Sequence, residues 1–242
     1  MNLITKILSL FFLLAFQNIH SMEESINPSC LMKEATLKTA LDDGLDRFQR
    51  YKNKQTLLHI AAKYEKQETM KVLLTYKWPS YSKTHIHKSN YLRMKDDYKN
   101  NTLHLMAKSK NFDQEFINYI LSLNPDKKAK NKQKQTPLHI AAENDNGKMM
   151  TALLGKFKID EIPEELNYVN TQDKKGNTAL HVAAKKSLYL ASILLKHKDA
   201  DLQIKNYKNK TPLELAIKKL KLPPKKRPSN LDSMIQLLTT QT

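Results

Sequence analysis

A seven-residue phrase recurs along the chain and constrains its architecture more than any other feature. Thr56-Leu57-Leu58-His59-Ile60-Ala61-Ala62 returns as Thr136-Pro137-Leu138-His139-Ile140-Ala141-Ala142 and as Thr178-Ala179-Leu180-His181-Val182-Ala183-Ala184. Asn101-Thr102-Leu103-His104-Leu105-Met106-Ala107 and Thr211-Pro212-Leu213-Glu214-Leu215-Ala216-Ile217 are looser copies. Taken at the His or Glu position, the copies are separated by 45, 35, 42 and 33 residues. A phrase returning at such intervals marks a chain of stacked supersecondary units, each unable to bury its apolar face alone.

The residue types explain themselves physically. Thr at the head of the phrase can cap a helix, its hydroxyl accepting an orphan backbone N–H. Pro137 and Pro212 suit the first helical turn, where a missing N–H costs nothing. Leu58, Leu103, Leu138, Leu180 and Leu213 are expected to point into the core between units, and the small Ala residues let adjacent helices approach. The imidazole can bridge backbone or hydroxyl groups of neighbouring turns. A metal site is not expected, because one His per unit sets His59, His104, His139 and His181 roughly a helix diameter apart. A second apolar stripe follows each copy: Met70-Val72-Leu73-Leu74, Phe116-Ile117-Ile120-Leu121, Met149-Met150-Leu153-Leu154, Leu190-Ile193-Leu194-Leu195 and Met234-Ile235-Leu237-Leu238. Its three-to-four-residue spacing predicts a second helix with one buried face.

These features together resemble the ankyrin repeat, with its T-P-L-H-x-A phrase and 33-residue period. The family favours Asp or Asn five residues before the Thr, and Asp96, Asn131, Asp173 and Asn206 stand there, with Tyr51 the exception. It favours Gly two residues before the Thr. Gly176 matches, whereas Lys54, Lys99, Lys134 and Asn209 depart, which predicts strained or looser turns. The resemblance implies an all-α solenoid of stacked helix-turn-helix units with finger-like turns. On this reading residues 1–21 are a signal peptide, 22–46 carry an N-terminal capping helix, and repeats occupy 47–78, 94–125, 128–158, 169–201 and 202–240. Residues 79–93 and 159–168 are expected as inserted loops. His85 and His87 in the first are read as solvated, and the fifth repeat holds a basic, Pro-rich loop.

The N-terminus follows the plan of a secretory signal: Lys6, the apolar run Ile7–Phe16, then small or polar residues to Ser21. The expected destination is export, secreted or periplasmic, with delivery to a host cell as a further expectation from family and composition. The mature chain is not expected to stay in a membrane. Cys30 is the single cysteine, so an internal disulfide is excluded, and it is read as buried and inert.

The resemblance also implies a protein-binding role, through the fingers and the inner helix face. Lys and Arg total 41 against 24 Asp and Glu; Arg47, Arg50, Arg93 and Arg227 are the arginines, so lysine supplies the excess. The candidate partner-binding edge comprises Arg50, Tyr51, Lys52 and Lys54, then Lys95, Tyr98 and Lys99, then Lys130, Lys132 and Lys134. Lys174 and Lys175, then Lys205, Tyr207 and Lys208, complete it. Two readings stand side by side: an edge that docks an acidic protein segment, or solvated lysine supplied by an AT-rich genome. Nucleic acid or an anionic surface is the alternative partner, disfavoured because Arg, which reads phosphate and guanine with two contacts, is scarce. Pro224-Lys225-Lys226-Arg227-Pro228 matches a nuclear-localisation pattern that also arises by chance in lysine-rich chains. No phosphate loop, HExxH, GxSxG or thiol-nucleophile constellation occurs, so neither catalysis nor a cofactor is expected.

Overall fold

Short apolar runs headed by a capping residue set where the helices begin. The computed structural model describes residues 34–42, 44–76, 88–155, 168–197 and 199–218, with 233, 235, 236 and 239 near the C-terminus. Among these residues the regular structure is helical and no strand occurs. The expected signal peptide, Cys30, His85, His87, the acidic part of the second insertion and the basic Pro-rich loop lie outside the described residues. Contacts divide the chain into two compact units, residues 1–106 and 107–242.

The first unit contains α1 (Glu34–Asp42), a 3-10 turn (Lys52–Lys54), α2 (Leu57–Lys63), α3 (Gln67–Thr75), α4 (Lys88–Arg93) and α5 (Thr102–Ala107), which runs to the division. α2 and α3 form a hairpin, and α1 packs on α3 with Leu37 and Ala40 buried. Arg47 lies under this packing. Its Nη1 donates to Leu73 O at 2.8 Å and its Nη2 to Tyr76 O at 3.2 Å, satisfying carbonyls at the end of α3. Burial lowers the Arg47 pKa, partly offset by Tyr91 and Asp46.

The segment 79–93 departs from the expected loop in its last six residues, which form α4. Tyr91 and Leu92 are completely buried there. The Tyr91 hydroxyl donates to Arg47 O at 2.7 Å and accepts the Leu58 N–H at 3.2 Å, while its ring meets Phe48 edge-on at 5.0 Å. An aromatic side chain with both ends satisfied in the core explains why this part of the insertion is helical. Burial is also what raises the Tyr91 pKa.

The second unit holds α6 (Gln114–Ser122), α7 (Pro137–Glu143), α8 (Gly147–Leu154), α9 (Ala179–Lys186), α10 (Leu188–Leu195) and α11 (Pro212–Lys218). α7 pairs with α8 and α9 with α10, while α7, α9 and α11 stack in one layer and α6, α8 and α10 in another. Burying the two stripes against their neighbours is how a repeat array solves the apolar-face problem. Asn146 caps α8 by accepting the Met149 N–H at 3.0 Å, and its amide also donates to the Ser109 carbonyl. Gly147 opens the same helix, and a Cβ there would collide with the Tyr189 ring of α10.

The motif leucines Leu58, Leu103, Leu138 and Leu180 are buried, as are the Ala residues at the phrase's end in α2, α7 and α9. Leu213 differs. It is only half-buried on α11, which packs chiefly on α9. Among the described residues no helix is long and apolar enough to cross a membrane.

Candidate functional site

The fingers are built from backbone hydrogen bonds that the anchoring Asp or Asn completes. Asp173 Oδ1 accepts the N–H groups of Lys175 and Asn177 at 2.8 Å each, and Asp173 N donates to Asn177 O at 2.9 Å. Asn131 does the same for Gln133 and Gln135 at 2.9 and 3.0 Å, and Asn206 for Lys208 and Lys210 at 3.0 and 3.1 Å. In the first unit Asp96 Oδ1 accepts from Asn100 N at 2.7 Å. Such Asx turns close a tight loop with a side chain in place of a backbone carbonyl.

Each finger then passes through left-handed backbone at one fixed place. Gly176 has φ 73°, and Lys54, Lys99, Lys134 and Asn209 adopt 53°, 60°, 58° and 54° at the equivalent positions. Without glycine the backbone keeps this conformation and is strained by it, and the first finger adds a second left-handed residue, Asn53 at 56°. Adjacent fingers are joined by single backbone bonds: Asp97 N to Asn53 O at 2.7 Å in the first unit, Lys174 N to Gln133 O at 2.9 Å and Tyr207 N to Lys175 O at 3.1 Å in the second.

Behind the fingers the imidazoles hold them to the helices. Thr56 N, Thr136 N and Thr178 N donate to Nδ1 of His59, His139 and His181 at 3.3, 3.2 and 3.1 Å. On the far side of each ring, His59 Nε2 lies 2.9 Å from Met94 O, His139 Nε2 3.0 Å from Asn177 O and His181 Nε2 3.0 Å from Lys210 O. A carbonyl oxygen can only accept, so Nε2 carries the proton and Nδ1 is free to receive the Thr N–H. This is the neutral ring, and burial, the largest cause in all three, holds these pKa values below the ordinary histidine value. Asn101 replaces Thr in the loosest copy, its N–H reaching His104 Nδ1 at 3.2 Å. The neighbouring Thr102 Oγ1 is buried without a partner.

Most of the expected edge residues are exposed: Lys52, Lys54, Lys95, Lys99, Lys130, Lys132, Lys134, Lys174, Lys175, Lys205 and Lys208, with Tyr98 at 51% and Tyr207 at 69%. Tyr51 is not part of that surface. It is 9% exposed, and burial together with Asp46 pushes its pKa up to about 12. Tyr51 holds the place where the other fingers carry Asp or Asn, at the turn's base, with its N–H bonded to Gln55 O at 2.8 Å. Arg50 is exposed, but its guanidinium ties Lys54 O at 2.7 Å to Lys95 O at 2.9 Å, and Lys54 Nζ lies 3.5 Å from Asp97. The first unit's edge thus uses much of its charge internally. The second unit's fingers carry Lys130, Lys132, Lys134, Lys174, Lys175, Lys205, Lys208 and Lys210 on exposed positions, while their one acidic anchor, Asp173, is buried.

Helical hairpins laced by imidazoles and carrying fingers, in each of the two units, define a helical repeat protein. The chain belongs to the ankyrin-repeat family: the family model for ankyrin repeats matches three copies, over residues 103–206 and 160–223, which together span half of the chain. It is similar to NF-kappa-B inhibitor zeta of Homo sapiens, 38% identical over 88 residues, and to that of Bos taurus, 36% identical over 88 residues. Each alignment takes in 35% of this chain and 11% of the relative, so the chain spans about a tenth of the length of the curated relatives it matches. Ankyrin repeats imply a scaffold for protein–protein interaction.

Proposed function

We propose that this chain is an exported, non-catalytic scaffold that binds an acidic segment of another protein along the finger edge and the groove beside it. The observation that carries the reading is the second unit's edge, where three laced fingers present eight exposed lysines, with Asp173 buried and Lys210 alone 3.6 Å from a carboxylate, that of Glu214, among the described residues. Exposed Tyr207 adds rigid, amphipathic contact area of the kind enriched at interfaces. The arginines near the edge do not favour nucleic acid, because Arg47 and Arg50 donate to backbone carbonyls. The relatives are named for inhibiting NF-kappa-B, a name in keeping with action by binding.

The test is a pulldown with the full chain and with a variant reversing two fingers, Lys132→Glu and Lys134→Glu with Lys174→Glu and Lys175→Glu. Partners should be lost from the variant and should weaken with added salt, since exposed charges are screened beyond about 10 Å at 0.1 M. Partners retained unchanged would overturn the finger-edge reading. Export, and the further step of meeting a host protein, rest on residues 1–21. Mass spectrometry of the natural N-terminus should find cleavage near Ser21, and an intact Met1 would reject export.

A further inference from the structure

Within the second unit, the last two fingers and the helices behind them frame an open-sided cavity of about 520 Å³ lined by Lys175, Asn177, Lys185, Asn206, Lys208, Leu215 and Lys218. Several local features make it. Tyr207 N bonds to Lys175 O, and Gly176 has no Cβ to hold the fifth finger away; one would come within 2.6 Å of Tyr207 N. Asn206 Nδ2 donates to Asn177 Oδ1 at 2.9 Å and fixes the floor. Lys185 enters from the last turn of α9 and Lys218 from the end of α11.

Four lysine side chains therefore line one concavity, all at exposed positions, and none of them forms an ion pair with a carboxylate among the described residues. Burial comes first in lowering the Lys185 pKa. Lys175, Lys208 and Lys218 lower it further, and Asp173 opposes them. Asp173 cannot swing in to neutralise the cavity, because its carboxylate already closes the fourth finger. Four like charges around a pocket of ligand size raise the local positive potential and suit it to a multivalent anion. The donors are all lysines. An ammonium is a compact point charge without the planar fork that matches a carboxylate two-to-two, so this set selects charge density over planarity. A phosphomonoester carries close to two negative charges on one small centre, where a Glu side chain carries one.

We infer that this cavity receives a phosphorylated side chain of the acidic segment that the finger edge binds, with Lys175, Lys185, Lys208 and Lys218 around the phosphate. The inference rests on the protein-binding reading for its source of phosphate, and it adds a residue-level preference which that reading does not require.

The test uses the full chain and fluorescein-labelled Gly/Glu peptides whose central residue is phosphoserine, serine or glutamate, titrated by anisotropy at physiological salt. The phosphoserine peptide should bind one to one and about tenfold tighter than either counterpart. Lys185→Gln with Lys218→Gln should erase that preference. Lys130→Gln with Lys132→Gln, of equal net charge, should weaken all three peptides in parallel and leave the preference standing. No preference in the parent chain, or equal loss of it in both variants, overturns the pocket while the finger edge survives. If the Lys130/Lys132 variant binds all three peptides like the parent and the preference still vanishes with Lys185 and Lys218, the pocket stands and the finger-edge reading falls. Sodium tripolyphosphate is the last arm: binding about tenfold tighter than the phosphopeptide would assign the cavity to a free oligophosphate and overturn the inference.

Discussion

Two neighbouring helices of the second unit, α9 and α11, begin with the same cap and differ in its third residue. In α9, Thr178 N donates to His181 Nδ1, and the other side of the ring reaches Lys210 O at the base of the next finger. In α11, Thr211 N donates to Glu214 Oε2 at 3.2 Å and Glu214 N to Thr211 Oγ1 at 3.2 Å, while the carboxylate sits 3.6 Å from Lys210 Nζ. Both close a capping box. Only the imidazole can accept at one edge and donate at the other, so only the His copies couple a helix start to the following repeat. Among the described residues the Glu copy bonds within its own cap and pairs with Lys210 of the finger just before it.

Deleting each residue should separate the two roles most widely. His139→Ala leaves the Thr136 N–H unpaired, takes one of two donors from the Asn177 carbonyl and opens a hole in a site that is 0% exposed, and should cost about 2–4 kcal/mol by urea unfolding. Glu214→Ala, half-exposed, should cost about 0.5–1 kcal/mol. Equal losses would break the comparison.

Acid sharpens it next. Burial lowers the His59, His139 and His181 pKa values in the folded chain, so below the unfolded value of about 6.5 the unfolded chain binds more protons. Their contribution is fully present above that pH and is lost as pH falls toward the folded values. Each contributes up to about 1.4 kcal/mol per pH unit in that window. Unfolding midpoints measured between about pH 7.5 and 5 should fall, with a shallower slope in His139→Gln and an unchanged one in Glu214→Gln. A flat profile would mean that the rings take up protons as readily in the folded chain as in the unfolded one, and would reject the neutral assignment.

Smaller effects come from the finger tips. Gly176→Ala should cost about 1–2 kcal/mol, since φ is 73° and the new Cβ would press on Tyr207. Lys134→Gly should stabilise by about 0.5–1 kcal/mol by relieving left-handed strain at φ 58°. Thermal melts that rank the two changes the other way would show that the tips are set by something besides backbone preference. The smallest effect is expected for Thr102→Val, which removes a buried hydroxyl with no partner and should gain about 0.5 kcal/mol.

Much of this was legible because the repeat writes the same instruction several times. The capped helix starts, the buried leucines and the bridging imidazole follow from a phrase whose residues interact within one turn or with the next copy. The anchoring role of Asp96, Asn131, Asp173 and Asn206 was legible only through the family resemblance. Tyr51 was misread because its burial depends on packing around the first finger, where it stands in place of an Asp or Asn anchor. α4 was missed because Tyr91 finds its partners 44 and 33 residues away, at Arg47 and Leu58. The lysine pocket was hidden likewise: Lys175, Lys185, Lys208 and Lys218 converge only after α11 docks on α9.

The lacing has a mechanical meaning for whatever holds the fingers. His139 fastens the 173–177 turn to the start of α7, and His181 fastens the following turn to the start of α9. Force applied at either turn would be delivered to a helix one repeat upstream, through a ring hydrogen-bonded at both nitrogens. The fingers behave as handles on a braced frame, and little freedom is left in them to lose when they are gripped.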